Sequence, residues 1–168
     1  LWHAGALRID RIQLAAHLTG DGLVVARGPV AFEPYRYHLW GGSLDALVLD
    51  ALASGLSRSR AFESVFEPAD AGREALRLSG KLLEFEHALG GDLPAGRVGL
   101  RLRLHRSTGE LLLDEEFHER VALPNPESRA EDVVAALSEG LARIVDRLLN
   151  RAEERGVFCV DVDAAPGR

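Results

Sequence analysis

The chain contains one cysteine, Cys159, and no methionine. A single thiol excludes an internal disulfide and any zinc or iron–sulfur site built on several cysteines; it leaves the compartment open, since a periplasmic protein need not carry a disulfide. No apolar run approaches the roughly 20 residues that span a bilayer, and no charged-then-apolar leader opens the sequence. Starting at Leu1 and lacking methionine, the chain reads as a processed or trimmed product. Positive charge is also in short supply: 20 Lys and Arg face 26 Asp and Glu, for a net charge of −6. No domain-wide positive field is available to hold phosphate backbones, so nucleic acid is not an expected partner. The basic residues alternate with acids along the chain, which argues against a polybasic strip on an anionic membrane.

Catalytic signatures are equally scarce. There is no Gly-x-Ser-x-Gly elbow, and Cys159 sits in an apolar, acidic tail that disfavours a thiolate. Gly41-Gly42 and Gly90-Gly91 lack the lysine and further glycines of a phosphate loop and read as turns. Six histidines (His3, His17, His38, His87, His105 and His118) show no i, i+4 pair on a helix and no compact ligand motif, so surface positions are expected for them and no metal. Asp114, Glu115 and Glu116 alternate faces if they lie on a strand, and arginines on the neighbouring strand account for two of them. The expectation is a protein that is not an enzyme and needs no cofactor.

What the chain does have is the composition of one ordinary globular domain: 168 residues, 46% hydrophobic and 27% charged. Leu7–Leu14 alternates loosely, with a break near Asp10, and reads as a first strand. Gly20-Asp21-Gly22 is a turn, LVVAR (Leu23–Arg27) a second strand, and Tyr35–Trp40 a third with aromatics on both faces. The third is expected to be central, with Tyr35, Tyr37 and Trp40 as the alternative contact residues for a protein partner. Leu44, Leu47, Val48, Ala51, Leu52, Gly55 and Leu56 form one apolar stripe, so a helix is predicted over about 43–58 with Ser43 as N-cap. Phe62, Val65 and Phe66 return as a short strand.

Ala75–His87 reads as a long strand whose inward set changes parity at Gly80, which predicts a bulge there. After the loop Gly90–Gly96, Arg97–Arg106 alternates cleanly as a strand of a one-sided sheet. A two-residue turn at Thr108-Gly109 would put Leu104 opposite Leu113, Leu100 opposite Phe117, Arg103 opposite Asp114 and Arg101 opposite Glu116. Glu115 then faces inward beside Leu102 and requires a partner. A second helix is predicted over about 127–155, with Gly156 at its C-cap and Val157–Val162 as a last strand or docking segment. The predicted fold is α+β, an antiparallel or mixed sheet with both helices packed on one face. It forms a single domain, residues 1–168, with a core of about 7–155 and a tail at 156–168.

The segments LVVAR, YRYHLW, LDALVLDAL and SRAFESVF, followed by LSGKLLEFEH, a basic alternating strand, a Ser-Thr-Gly-Glu turn, an acidic strand and a long helix, occur in this order. In this the chain resembles the ABC-type transport auxiliary lipoprotein family, the PqiC and YmbA-like proteins of Gram-negative bacteria, over about 9–155. It departs in two places: the family's lipobox cysteine is absent, and Trp40-Gly41-Gly42-Ser43 replaces the usual Trp-Ala-x-Pro-Pro entry to the helix. The resemblance implies a periplasmic accessory subunit, anchored to the outer membrane by a lipid on a cysteine that precedes this chain. It implies docking to an MCE-domain protein of a system that moves lipids or other hydrophobic molecules, with bound lipid and self-association as further expectations. A soluble lipid carrier is the alternative, and would require a continuous apolar cavity between helices and sheet.

Overall fold

A computed structural model describes residues 5–70, 73–125 and 127–158. His3, Cys159 and the end of the expected 157–162 segment lie outside these residues. Seven strands and two helices follow in the order β1 (Leu7–Leu14), β2 (Gly22–Ala26), β3 (Phe32–Leu39), α1 (Leu44–Ser59), β4 (Val65–Phe66), β5 (Leu76–Ala88), β6 (Ala95–Arg106), β7 (Leu111–Ala122) and α2 (Ala130–Glu154). The sheet is mixed and is built on β5. One edge of β5 carries β6 antiparallel along its length. The other edge is shared, with β1 parallel to its first half and β2 parallel to Glu86–Ala88. β4 extends β1, β3 extends β2, and β7 closes the far side on β6.

Both helices cover one face, as the two apolar stripes require. Leu52 and Leu56 of α1, Leu137 and Ile144 of α2, and Ile9, Leu78, Leu82, Leu100 and Leu102 of the sheet are all completely buried in one cluster. Leu47, placed on the apolar stripe by its spacing, is instead largely exposed at the flank of α1. Gly55 lets the helices approach closely: a Cβ there would stand 3.3 Å from Val145 Cγ2. Ser43 occupies the N-cap position of α1, without a side-chain cap bond. α2 starts three residues later than predicted, where Asp132 Oδ2 accepts the Arg129 amide at 3.0 Å. It ends in a Schellman arrangement. Gly156 has φ of +69°, and the amides of Gly156 and Val157 return to the carbonyls of Glu153 and Ala152, each at 2.9 Å. Val157 is thereby buried, and Phe158 meets Phe62 edge-to-face.

The predicted β6–β7 register is the observed one, although the turn that produces it is different. The Arg106 amide bonds to the Glu110 carbonyl and Gly109 takes φ of +95°, which makes a three-residue loop; the extra residue is absorbed by a bulge at Leu112. Glu115 finds its partners at the end of α2, with Arg151 Nε at 3.2 Å and the Nη2 of the C-cap residue Arg155 at 3.4 Å. The bulge expected at Gly80 lies instead at Leu83, between the Leu82 and Glu84 pairings. Gly80 stays in register opposite Leu102, and a Cβ on it would stand 2.9 Å from Leu102 Cδ2 and 3.2 Å from Ile12 Cδ1. The glycine is there because two core side chains occupy its space.

Candidate docking groove beside the edge strand

β3 is an edge strand, not the central one expected from its aromatics, and pairs only with β2. Its pairing is irregular: between the pairs Val24↔Pro34 and Gly22↔Leu39, β2 supplies one residue and β3 four. This surplus arches β3 away from the sheet, and Pro34 is tolerated because an edge strand can do without one amide. The arch separates the three aromatics. Tyr35 is half-buried, with its hydroxyl 2.7 Å from His87 Nδ1. Tyr37 is 87% exposed. Trp40 is half-buried: its ring packs on Phe85 at 5.6 Å between centroids, and its amide donates to the Asp21 carbonyl at 2.8 Å.

Between the end of β3 and the first turns of α2 runs an open groove of about 500 Å³, lined by Leu23, Tyr37, His38, Leu39, Trp40 and Val134 among others. Trp40 belongs to both core and groove. Its inner edge rests on Phe85 while its outer edge forms part of the lining. Leu39 is 70% and Val134 39% exposed, so these side chains meet solvent at the groove, over a floor of buried Leu23 and half-buried Trp40. Tyr37 and Trp40 therefore share one surface, and Tyr35 is drawn away from it. The sequence reading missed Leu39 and Val134 as groove residues. No local signal marks Val134: the adjacent pair Ile144 and Val145 on the same helix is buried, so following Val133 does not by itself send Val134 to the surface.

His87 lies below Tyr35 and is almost fully buried; its Nε2 has no hydrogen-bond partner among the described residues. Burial holds the His87 ring below the ordinary histidine range, and the charge of Arg27 acts in the same direction. Burial also raises the Tyr35 hydroxyl, so the pair is neutral at physiological pH. The unfolded chain binds a proton on this histidine more readily than the folded one. The stability gained from burying it neutral is thus present above pH 6.5, the unperturbed value, and is lost as pH falls below it. The thermal midpoint is expected to drop between about pH 7 and pH 5. In His87→Gln that slope should flatten, and an unchanged slope would assign the acid sensitivity to other groups.

On the opposite face of the sheet, Glu86 is completely buried, with Arg97 Nε at 3.0 Å, a second contact to Arg97 Nη2, and His17 Nε2 at 3.1 Å. His17 is stacked on Phe32 at 4.2 Å. Glu84, next along that face, takes Arg97 at 3.5 Å and His118 Nδ1 at 2.9 Å. His17 and His118 are thus carboxylate partners rather than free surface residues. Each carboxylate is held by Arg97 and a histidine, so the cluster is suited to holding strands together. Among the described residues, no group of three or more His, Cys, Asp or Glu is arranged to hold a metal ion.

The profile of ABC-type transport auxiliary lipoprotein components matches residues 2–148. The chain belongs to that family. A family of auxiliary transport components is not an enzyme class. No curated protein matches the chain. Among solved structures, a Xanthomonas campestris protein is similar at 18% identity with a TM-score of 0.76, over 92% of this chain and 85% of the other. The PelC dodecamer of Paraburkholderia phytofirmans is similar at 14% identity and a TM-score of 0.55, over 89% and 88%. A hypothetical protein from Chlamydia trachomatis follows at 10% and 0.56, over 92% and 98%. At these identities the likeness is one of fold. No helix among the described residues is long and apolar enough to cross a membrane.

Proposed function

We propose that this family member acts by docking: a non-enzymatic accessory lipoprotein of an MCE-type ABC transport system that moves lipids or other hydrophobic molecules between membranes. In this reading it stands in the periplasm, held at the outer membrane by a lipid on a cysteine upstream of Leu1. The groove beside β3 supports the reading most directly. Tyr37, Leu39, Trp40 and Val134 place aromatic and aliphatic area on one open surface, and such groups dominate binding energy when a partner covers them. Tyr37 carries the protruding anchor and Trp40 the fixed floor, and Tyr35 contributes only by holding the strand to His87.

The partner is the periplasmic MCE-domain protein encoded with the same transporter. In a surface-binding assay with that protein, Tyr37→Ser combined with Leu39→Ser is expected to weaken binding by more than about tenfold, with the thermal midpoint of the free chain unchanged. Equal affinity of variant and parent would reject the groove as the docking surface. The dodecameric PelC neighbour also motivates self-association of this chain, which sedimentation of the free protein tests directly.

A further inference from the structure

The face of the sheet that carries no helix gathers a cluster of cations that the linear sequence disperses. Across β5 and β6, Lys81 stands directly opposite Arg101, and Ser79 opposite Arg103. Opposed residues of an antiparallel pair point to the same side with their Cβ atoms about 5 Å apart, so the Lys81–Arg101 pairing is repulsive unless an anion intervenes. On the next strand, β1 carries a register shift between Ile9 and Ile12, and Arg11 within it lines the same hollow. The hollow has a volume of about 300 Å³ and is bordered by Asp10, Arg11, Gln13, Ser79, Lys81, Arg101 and Arg103.

The acids nearby neutralise it only in part. Asp114 alone serves both arginines, with Arg101 Nε at 2.8 Å and Nη2 at 2.9 Å, and Arg103 Nε at 3.0 Å. Asp10 lies 3.8 Å from Arg77. Glu116, opposite Arg101 in register, is 3.6 Å from His118. Among the described residues, Arg11 and Lys81 have no carboxylate partner. The hollow therefore sets four cations against two carboxylates, Asp10 in its lining and Asp114 beside it, within a chain whose net charge is −6. Asp114 also fixes the Arg101 guanidinium by a two-pronged bond, which leaves that group's remaining donors oriented in advance.

We propose that this hollow binds a phosphate-type oxyanion, presented either by the headgroup of an anionic lipid or as a free phosphate. Lys81 and Arg11 supply cations with no carboxylate partner of their own among the described residues, Arg101 and Arg103 supply planar donors, and the Ser79 hydroxyl supplies a neutral one. The site lies on the helix-free side and shares no residue with the groove beside β3, so it stands or falls independently of the docking reading.

The test uses the full chain with two probes, inorganic phosphate followed by amide chemical shifts, and co-sedimentation with phosphatidylglycerol or phosphatidylcholine vesicles. Phosphatidylglycerol vesicles are expected to bind and phosphatidylcholine vesicles not, with binding falling as salt rises. Arg11→Gln combined with Lys81→Gln should weaken binding roughly thirtyfold, about a factor of five for each charge removed. The Lys81→Gln thermal midpoint without anion should stay level or rise as the repulsion is relieved, which separates lost binding from lost folding. Vesicle binding that phosphate does not reproduce assigns the headgroup as source, and shifts with phosphate but no vesicle binding assign the soluble ion. The proposal is overturned if neither probe responds, if the two vesicle types bind alike, or if the double variant binds as the parent does. Tyr37→Ser should leave both responses intact.

Discussion

Replacing Glu86 by alanine is expected to cost the protein about 3–5 kcal/mol, the usual penalty for removing one partner of a buried ion pair. Glu86 is wholly inaccessible while Arg97 and His17 keep roughly a quarter of their side chains in contact with water, which places the effect toward the lower end. The charge of Arg97 would also retain Glu84 at 3.5 Å. A loss of about 3 kcal/mol is a large share of the 5–15 kcal/mol that holds a typical domain, and corresponds to a fall of roughly 6–12 °C in the thermal midpoint for a chain of this size. Glu86→Gln should lose less, because the amide oxygen still accepts from Arg97 while the amide nitrogen can only donate. Urea denaturation of the two variants checks the order. Equal and small losses would mean that Arg97 and His17 turn to solvent at no cost.

Gly96→Val is expected to be nearly as damaging, by about 3 kcal/mol. A Cβ at residue 96 would stand 2.8 Å from Ala136 Cβ, 3.1 Å from the Leu137 amide nitrogen and 3.2 Å from the Ala136 carbonyl carbon. Two of these three atoms are backbone of α2, so no rotamer change relieves the contact and the helix must lift from β6. The neighbouring contact works the other way round: a Cβ on Gly140 of α2 would stand 2.8 Å from Val98 Cγ2. Together the two glycines set how closely α2 lies on the sheet. Chemical denaturation of Gly96→Val reads the loss. A variant as stable as the parent would show that α2 can shift outward without giving up the burial of Leu137 and Ile144.

Where the sequence reading succeeded, a period was at work. The alternation of Val98, Leu100, Leu102 and Leu104 against Arg101 and Arg103 specified a one-sided strand, and matching charges on the next strand specified its register. Even the wrong turn led to the right pairing, since a slip by one residue would have put Phe117 and Leu113 on the solvent side. Where it failed, the deciding contact was distant. Gly96 read as the end of a loop and is an inward strand position under α2. Gly80 read as a bulge and is a space for Leu102 and Ile12. Glycine reports only that a side chain is unwelcome, and the cause lies in whatever packs against it.

The site divides in the same way. Tyr35, Tyr37 and Trp40 were legible as contact residues by their chemistry, whereas nothing local says that β3 is an edge or that its four-residue arch turns Tyr37 outward and Tyr35 toward His87. The α+β class and the two amphipathic helices follow from the sequence by itself, because hydrophobic periodicity and element order are properties of the chain; the family rests on resemblance to its members and on the matching profile. Three features were decided only by the tertiary structure: the shared edge of β5, the groove between β3 and α2, and the cations gathered around Lys81. Each depends on which strands become neighbours, and pairing between distant segments is chosen by the burial of the whole core rather than by any one segment.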